Sequence, residues 1–141
     1  MSESGEKNLA GANLVSANFR GEIMCDANLS GATLVQADML NCDLSGANLK
    51  GANLTGADLT DADLSGACLV DANLTRTRLR GTLFSGADLT GAILAQTDLQ
   101  DADFKGAKIN VEKFDISGAR AWQQAKWDEP VLEALKAKFG K

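Results

Sequence analysis

The chain has 141 residues, a formal charge of −5 and a pI of about 4.7. That length suits one domain, and the acidity argues against a nucleic-acid binder, which as a rule shows a basic patch. With no histidine and three scattered cysteines, Cys25, Cys42 and Cys68, the chain lacks the usual acid–base group at neutral pH and argues against a transition-metal site.

The first eight residues, MSESGEKN, are polar. They are expected to form a flexible tail and lack the apolar core of a signal peptide. No stretch of 18 apolar residues follows, so no membrane span is expected and the cytoplasm is the expected location. An odd number of thiols without a well-placed pair fits reduced cysteines there.

From Leu9 to Phe114 a large apolar residue stands at every fifth position, twenty-two in all, without insertion. In LKGANLTGADLTDADLSGACL (residues 49–69), alanine recurs at Ala52, Ala57, Ala62 and Ala67, with a leucine two places after each. Fifteen of the twenty-two inner partners are alanine. Helices repeat every 3.6 residues and strands every two, so neither holds a period of five on one side. One solution keeps Ala and Leu inside: a short extended piece followed by a corner, once per repeat. Gly lies two after the centre in half of the repeats, and Asn or Asp usually lies just before it, as turns require. A chain that turns so often must stack coil upon coil, which makes a solenoid. Like residues recur at a spacing of 20: Phe84 with Phe104, Phe19 with Met39, Asp38 with Asp58. Three repeats per coil would give a spacing of 15 and four a spacing of 20, so this favours a square coil of four repeats.

The units ANLSG, ANLKG, ANLTG, ADLTD, ADLSG and ADLTG resemble those of the pentapeptide-repeat proteins, over about three quarters of the chain. The resemblance implies an all-β solenoid, a right-handed quadrilateral β-helix. At 9–117 it would have about five and a half coils of four repeats. The family includes quinolone-resistance members whose acidic rods resemble DNA and bind DNA gyrase. This chain is similar to them in repeat and charge. It departs from them in being short, in lacking a loop between coils, and in an interrupted acidic stripe.

Toward the end the repeat degrades: Glu112 takes an alanine place, Lys108 and Lys113 replace Asn or Asp, and Gly118 breaks the register. Residues 118–141 are expected to form a helical C-terminal cap. Asp128 can cap the helix and Pro130 suits its first turn. Leu132, Leu135 and Phe139 supply one apolar stripe, and Gly140 can stop it. Trp122 and Trp127 are expected in the same lid, with a dimer contact as the alternative. No comparable cap is visible over Leu9, Leu14, Phe19 and Met24. Either that end fits another molecule or the short tail folds across it.

Three groups of side chains are candidate sites. Asp58, Asp61 and Asp63, like Asp98, Asp101 and Asp103, resemble a D-x-D carboxylate pair. Calcium needs six to eight converging oxygens, whereas these acids diverge around a corner, and a glycosidase pair needs a cleft. Solvated decoration is the plainer reading. With the faces numbered from Leu9, the third and fourth carry Asp38, Asp43, Asp58, Asp61, Asp63, Asp98, Asp101 and Asp103, eight of the thirteen aspartates. These form a possible partner-binding acidic surface. TRTRLRG (residues 75–81) places Arg76, Arg78 and Arg80 outward. Surface ion pairs with aspartates of neighbouring coils are the plain reading, and an anion or partner contact is the sharper one.

The expected function is a non-enzymatic structural or protein-interaction module without a cofactor, metal or direct nucleic-acid contact. Its partner is unknown, and it would be a monomer or an end-to-end dimer. The alternative is a DNA-mimicking modulator of DNA gyrase or another topoisomerase. At about 4.8 Å per coil the rod measures about 26 Å, the length of about eight base pairs, so a mimic would need to dimerise.

Overall fold

The computed structural model describes residues 7–140. Its backbone is a ladder of parallel bridges between residues one coil apart. The first face stacks Asn8, Asn28, Asn48, Cys68, Asp88 and Lys108, and the second runs from Asn13 to Asp115. The third runs from Asn18 to Arg120 and the fourth from Ile23 to Lys126. The bridging residue is the one before the apolar centre, except at Arg120, which precedes the left-handed Ala121. Its N–H donates to the coil before and its C=O accepts from it: Asn28 donates to Lys7 O at 2.8 Å and accepts from Leu9 N at 2.7 Å.

Nearly every corner is closed by a bond within the repeat, as where Ala12 N donates to Leu9 O at 3.1 Å. From Leu9 to Phe104 the residue two after the centre has a positive φ, near 60° where it is not glycine: Ser16, Gln36, Arg76 and Gln96 share it with Asn and Asp residues. A turn with positive φ at its third residue alone is type II. The pattern turns the chain by the same amount at every corner, so the coil closes into a square.

Closure puts the alanines and centres inside. From Met24 to Leu99 every centre is fully buried, and so is nearly every alanine two before it. Thr77, Thr82 and Thr97 stand in alanine places and are equally buried. Their hydroxyls donate to Leu74 O, Leu59 O and Leu94 O at 2.7, 2.7 and 2.8 Å. This spares them the cost of an unpaired buried hydroxyl.

The ladder runs beyond the boundary expected at residue 117, so each face has six rungs rather than an average of five and a half. The spacing between partners is 20 up to Asp88 and Lys108, becomes 22 for Ile93 with Asp115 and Asp98 with Arg120, and 23 for Asp103 with Lys126. The extra residues are absorbed by two short 3₁₀ turns, Val111–Lys113 and Trp122–Gln124. Phe114, expected as the last centre, therefore fills an inner, alanine-type place, and Ile116 becomes the centre. Residues 118–127 complete the sixth coil instead of opening the cap.

Trp127 is the last centre of the fourth face. It stacks on Phe104 with centroids 4.3 Å apart, and Phe104 stacks on Phe84 at 4.5 Å. Phe114 meets both Phe104 and Trp127 edge to face, and the Trp127 indole N–H donates to Trp122 O at 2.8 Å. Stacked and edge contacts of this kind add to the burial of the rings.

Helix α1, Glu129–Phe139, is the lid. Leu135 is fully buried, while Leu132 and Phe139 pack partly buried beside it. Asp128 takes the N-cap place through its backbone, but its side chain does not cap. Its carboxylate accepts from Gly106 N at 3.0 Å and so ties the helix start to the ladder. Lys138 Nζ donates to Val111 O at 2.8 Å and Glu112 O at 3.2 Å, fastening the far end to the 3₁₀ turn.

Removing the helix alone, by ending the chain at Asp128, should bare Trp127, Phe114 and the last row of backbone groups. Such an edge associates. Light scattering is expected to show oligomers and a lower melting temperature; an equally stable monomer would mean that α1 is not a lid.

Candidate functional site

The aspartates are first of all parts of the corners. In an Asn or Asp just before a centre, Oδ1 accepts the backbone N–H two residues on: Asp43 from Ser45 at 3.0 Å, Asp58 from Thr60 at 3.0 Å, Asp63 from Ser65 at 2.9 Å. Asp38, Asp98 and Asp103 do the same with Leu40, Gln100 and Lys105. Where Ser or Thr follows the centre, its hydroxyl often donates to that same oxygen, at 2.6 Å from Thr60 and 2.7 Å from Ser45. These are Asx turns. Asn28, Asn53 and Asn73 make the same bonds with an uncharged oxygen.

Hydrogen bonding to the charged form lowers a carboxyl pKa. The Leu40 N–H and the Arg20 guanidinium hold Asp38 below its ordinary value. The Thr90 hydroxyl and N–H act likewise on Asp88, and those of Ser117 on Asp115.

The second oxygen decides what charge remains. On the third face Asp38 Oδ2 lies 3.0 Å from Arg20, Asp58 Oδ2 3.6 Å from Arg78, and Asp98 Oδ2 3.5 Å from Arg120. Outward positions there hold three aspartates against Arg20, Arg78, Arg80 and Arg120. On the third face each of the three aspartates thus stands beside an arginine. Screening by water leaves each pair little stability to contribute, but their charges cancel at short range.

On the fourth face Asp43, Asp63 and Asp103 have no ion pair among the described residues; Lys105 and Lys126 stand outward beside Asp103 at its C-terminal end, which leaves Asp43 and Asp63 away from any cation of that face. Asp61 and Asp101 stand at its edge with the third face, both at positive φ. A side-chain carbon on Gly81 would meet the Asp61 carboxylate, so the Asp61 side chain leans over the glycine of the next coil. Asp26, Asp71 and Asp115 also lack an ion pair among the described residues, on other corners and the second face, so the remaining acidity is densest on the fourth face and its edge.

Of the three arginines in TRTRLRG, Arg78 makes the expected pair, whereas Arg76 and Arg80 make none among the described residues. Arg76 also occupies a positive-φ corner, φ 60°, which costs a side-chain-bearing residue about 1–2 kcal/mol. The row crosses the third face at the middle of the rod.

The thiols are spread out. Cys42 is buried in an alanine place, and Cys25 and Cys68 are part-exposed on different faces. Burial pushes the Cys42 thiol up to about 12, with Asp43 and Glu22 adding to it, which suits packing and not nucleophilic chemistry. Among the described residues no three His, Cys, Asp or Glu side chains gather as a metal-holding group. No helix there is long and apolar enough to cross a membrane.

A family model described as Pentapeptide repeats (8 copies) matches residues 8–46, 37–76 and 67–106. Among solved structures, a pentapeptide repeat protein from the Arabidopsis thaliana thylakoid lumen is 28% identical. The match covers 80% of this chain and 83% of that one, with a TM-score of 0.71. HetL, a pentapeptide repeat protein involved in heterocyst differentiation regulation in the cyanobacterium Nostoc sp. strain PCC 7120, is 27% identical over 86% of this chain and 68% of its own, with a TM-score of 0.45. QnrB1, a plasmid-mediated fluoroquinolone resistance protein, is 18% identical over 95% of this chain and 84% of its own, with a TM-score of 0.41. No curated protein matches significantly.

The Asx oxygen makes a titration prediction. Replacing Thr90 by Val should raise the Asp88 pKa back toward the ordinary carboxylate range, as followed by carboxyl NMR. The parent's depressed pKa contributes stability above the unfolded value, about 3.9, that is lost as pH falls through the folded value. The variant should therefore be less stable near neutral pH and lose less on acidification. An unmoved Asp88 titration would contradict the assignment.

Proposed function

The chain belongs to the pentapeptide-repeat family, whose fold is a right-handed quadrilateral β-helix, and on that premise we propose that it is a non-enzymatic protein-interaction module. The observation that carries this reading is the distribution of uncompensated charge. Asp43, Asp61, Asp63, Asp101 and Asp103 line the fourth face and its edge, free of ion pairs among the described residues. Repeats follow one another from Leu9 to Ile109 without an inserted loop, so these acids stand on a flat rigid surface. A rigid face loses little conformational freedom on binding, and its charge steers and selects a partner. The partner is a protein with a basic, flat surface.

Reduced Cys25, Cys42 and Cys68 fit a reducing compartment, and the cytoplasm is the location we propose. The other reading, a DNA-mimicking modulator of DNA gyrase or another topoisomerase, needs acid along more than one face of the rod. The arginine partners of Asp38, Asp58 and Asp98 speak against it.

Asn makes the same corner as Asp, so charge can be removed without disturbing the coil. Capture from native cell extract at low salt is expected to yield a partner that the triple variant Asp43→Asn, Asp63→Asn, Asp103→Asn no longer holds, with its melting temperature kept. The parent should leave gyrase supercoiling unchanged at micromolar concentration. A partner held equally by the variant would remove the acidic face from the account, and inhibition of gyrase would favour the mimic.

A further inference from the structure

We propose that the N-terminal rim of the ladder is a self-association surface, on which a second copy of this chain stacks end to end about a two-fold axis. The proposal does not depend on which partner the faces bind. The two ends of the rod differ. Helix α1 covers the C-terminal end and buries Leu135 fully. At the other end Leu9, Leu14 and Phe19 are only partly buried, whereas Met24, the fourth centre of that coil, is fully buried; Leu29, Leu34 and Met39 hold the places of the first three one coil on and are fully buried. Val15 and Ile23 lie in that first coil, 49% and 67% exposed.

The backbone names the occupant. In later coils the residue before the centre spends both its N–H and its C=O on the coil before it, as Asn28 does with Lys7 and Leu9. Asn8, Asn13, Asn18 and Ile23 hold this place in the first coil, and both groups of each lack a backbone partner among the described residues. Two residues that each offer N–H and C=O on the same side form the hydrogen-bonded pair of an antiparallel ladder. Two right-handed coils meeting N-terminus to N-terminus run in opposite directions about their common axis, so every face meets an antiparallel one. The rim is thus self-complementary, as a two-fold interface requires.

Charge permits the contact. Within residues 7–26 Lys7 and Arg20 balance Glu22 and Asp26, while the chain as a whole carries −5. Residues 1–6, MSESGE, lie outside the described residues. The repeat register would set Ser4 where a large apolar centre belongs.

Sedimentation velocity and amide exchange on the full chain, from micromolar to hundreds of micromolar, test the proposal. A dimer is expected whose Asn13, Asn18 and Ile23 amides exchange more slowly as concentration rises. Ile23→Lys charges a side chain that a single chain leaves in water, and should weaken the dimer about tenfold or more without lowering monomer stability. Asn13→Pro deletes one rim donor and should weaken it too; if that variant fails to fold, Ile23→Lys decides alone. A monomer at every concentration overturns the proposal, and so does a dimer indifferent to Ile23→Lys, which would use another surface. A monomer destabilised by deleting residues 2–6 also overturns it, because the chain's own N-terminal segment would then cover the rim.

Discussion

Everything in this molecule depends on a corner taken every five residues with one residue at positive φ. The corner brings the bond from the fourth residue's N–H back to the centre's carbonyl, as from Ala12 to Leu9. It also turns the remaining N–H and C=O groups up and down the rod, where only another coil can satisfy them. Inward crowding follows from the same geometry. Four short faces meet around a narrow interior, so alanine fits beside each leucine, and a hydroxyl is admitted only where, as at Thr82, it reaches a carbonyl. Stability is accordingly shared between neighbouring coils, and the ends are where the arrangement is incomplete.

The same corner governs what the surface can do. Asp and Asn are interchangeable as turn formers because only Oδ1 is engaged. Charge can therefore vary along the rod without altering its shape. The third face cancels its aspartates with Arg20, Arg78 and Arg120, and on the fourth Asp43, Asp63 and Asp103 make no ion pair among the described residues. A scaffold that separates shape from charge in this way is suited to recognition, whereas catalysis needs groups that converge.

The period of five and the coil of twenty were legible because each centre meets the same surroundings in every repeat, so Phe84 and Phe104 reveal their stacking by spacing alone. Trp127 belongs to that same stack but escaped this reasoning, since two 3₁₀ turns displace it by three residues from the fixed spacing. A trace was present: DISG at 115–118 and AKW at 125–127 are repeat units in the right order. Asp128 was legible as a helix start, but not its bond to Gly106, which joins positions 22 residues apart. The roles of the aspartates were half legible. Asn or Asp two places before Ser or Thr, as in ANLSG, signals the shared Asx oxygen. The pairing of Asp98 with Arg120 required knowing that the last coil is longer than the others.

The corner itself can be tested at Gly51. Its φ is +67°, and a side-chain carbon added there would have nothing within 4 Å, so conformation and not space sets the cost of a substitution. Asn tolerates this region, whereas a β-branched residue does not. Thermal and urea unfolding of Gly51→Asn and Gly51→Val, measured side by side, should show the Asn variant close to the parent and the Val variant about 1–2 kcal/mol less stable. Equal stability of the two variants would contradict the claim that positive φ at each fifth residue holds the coil together.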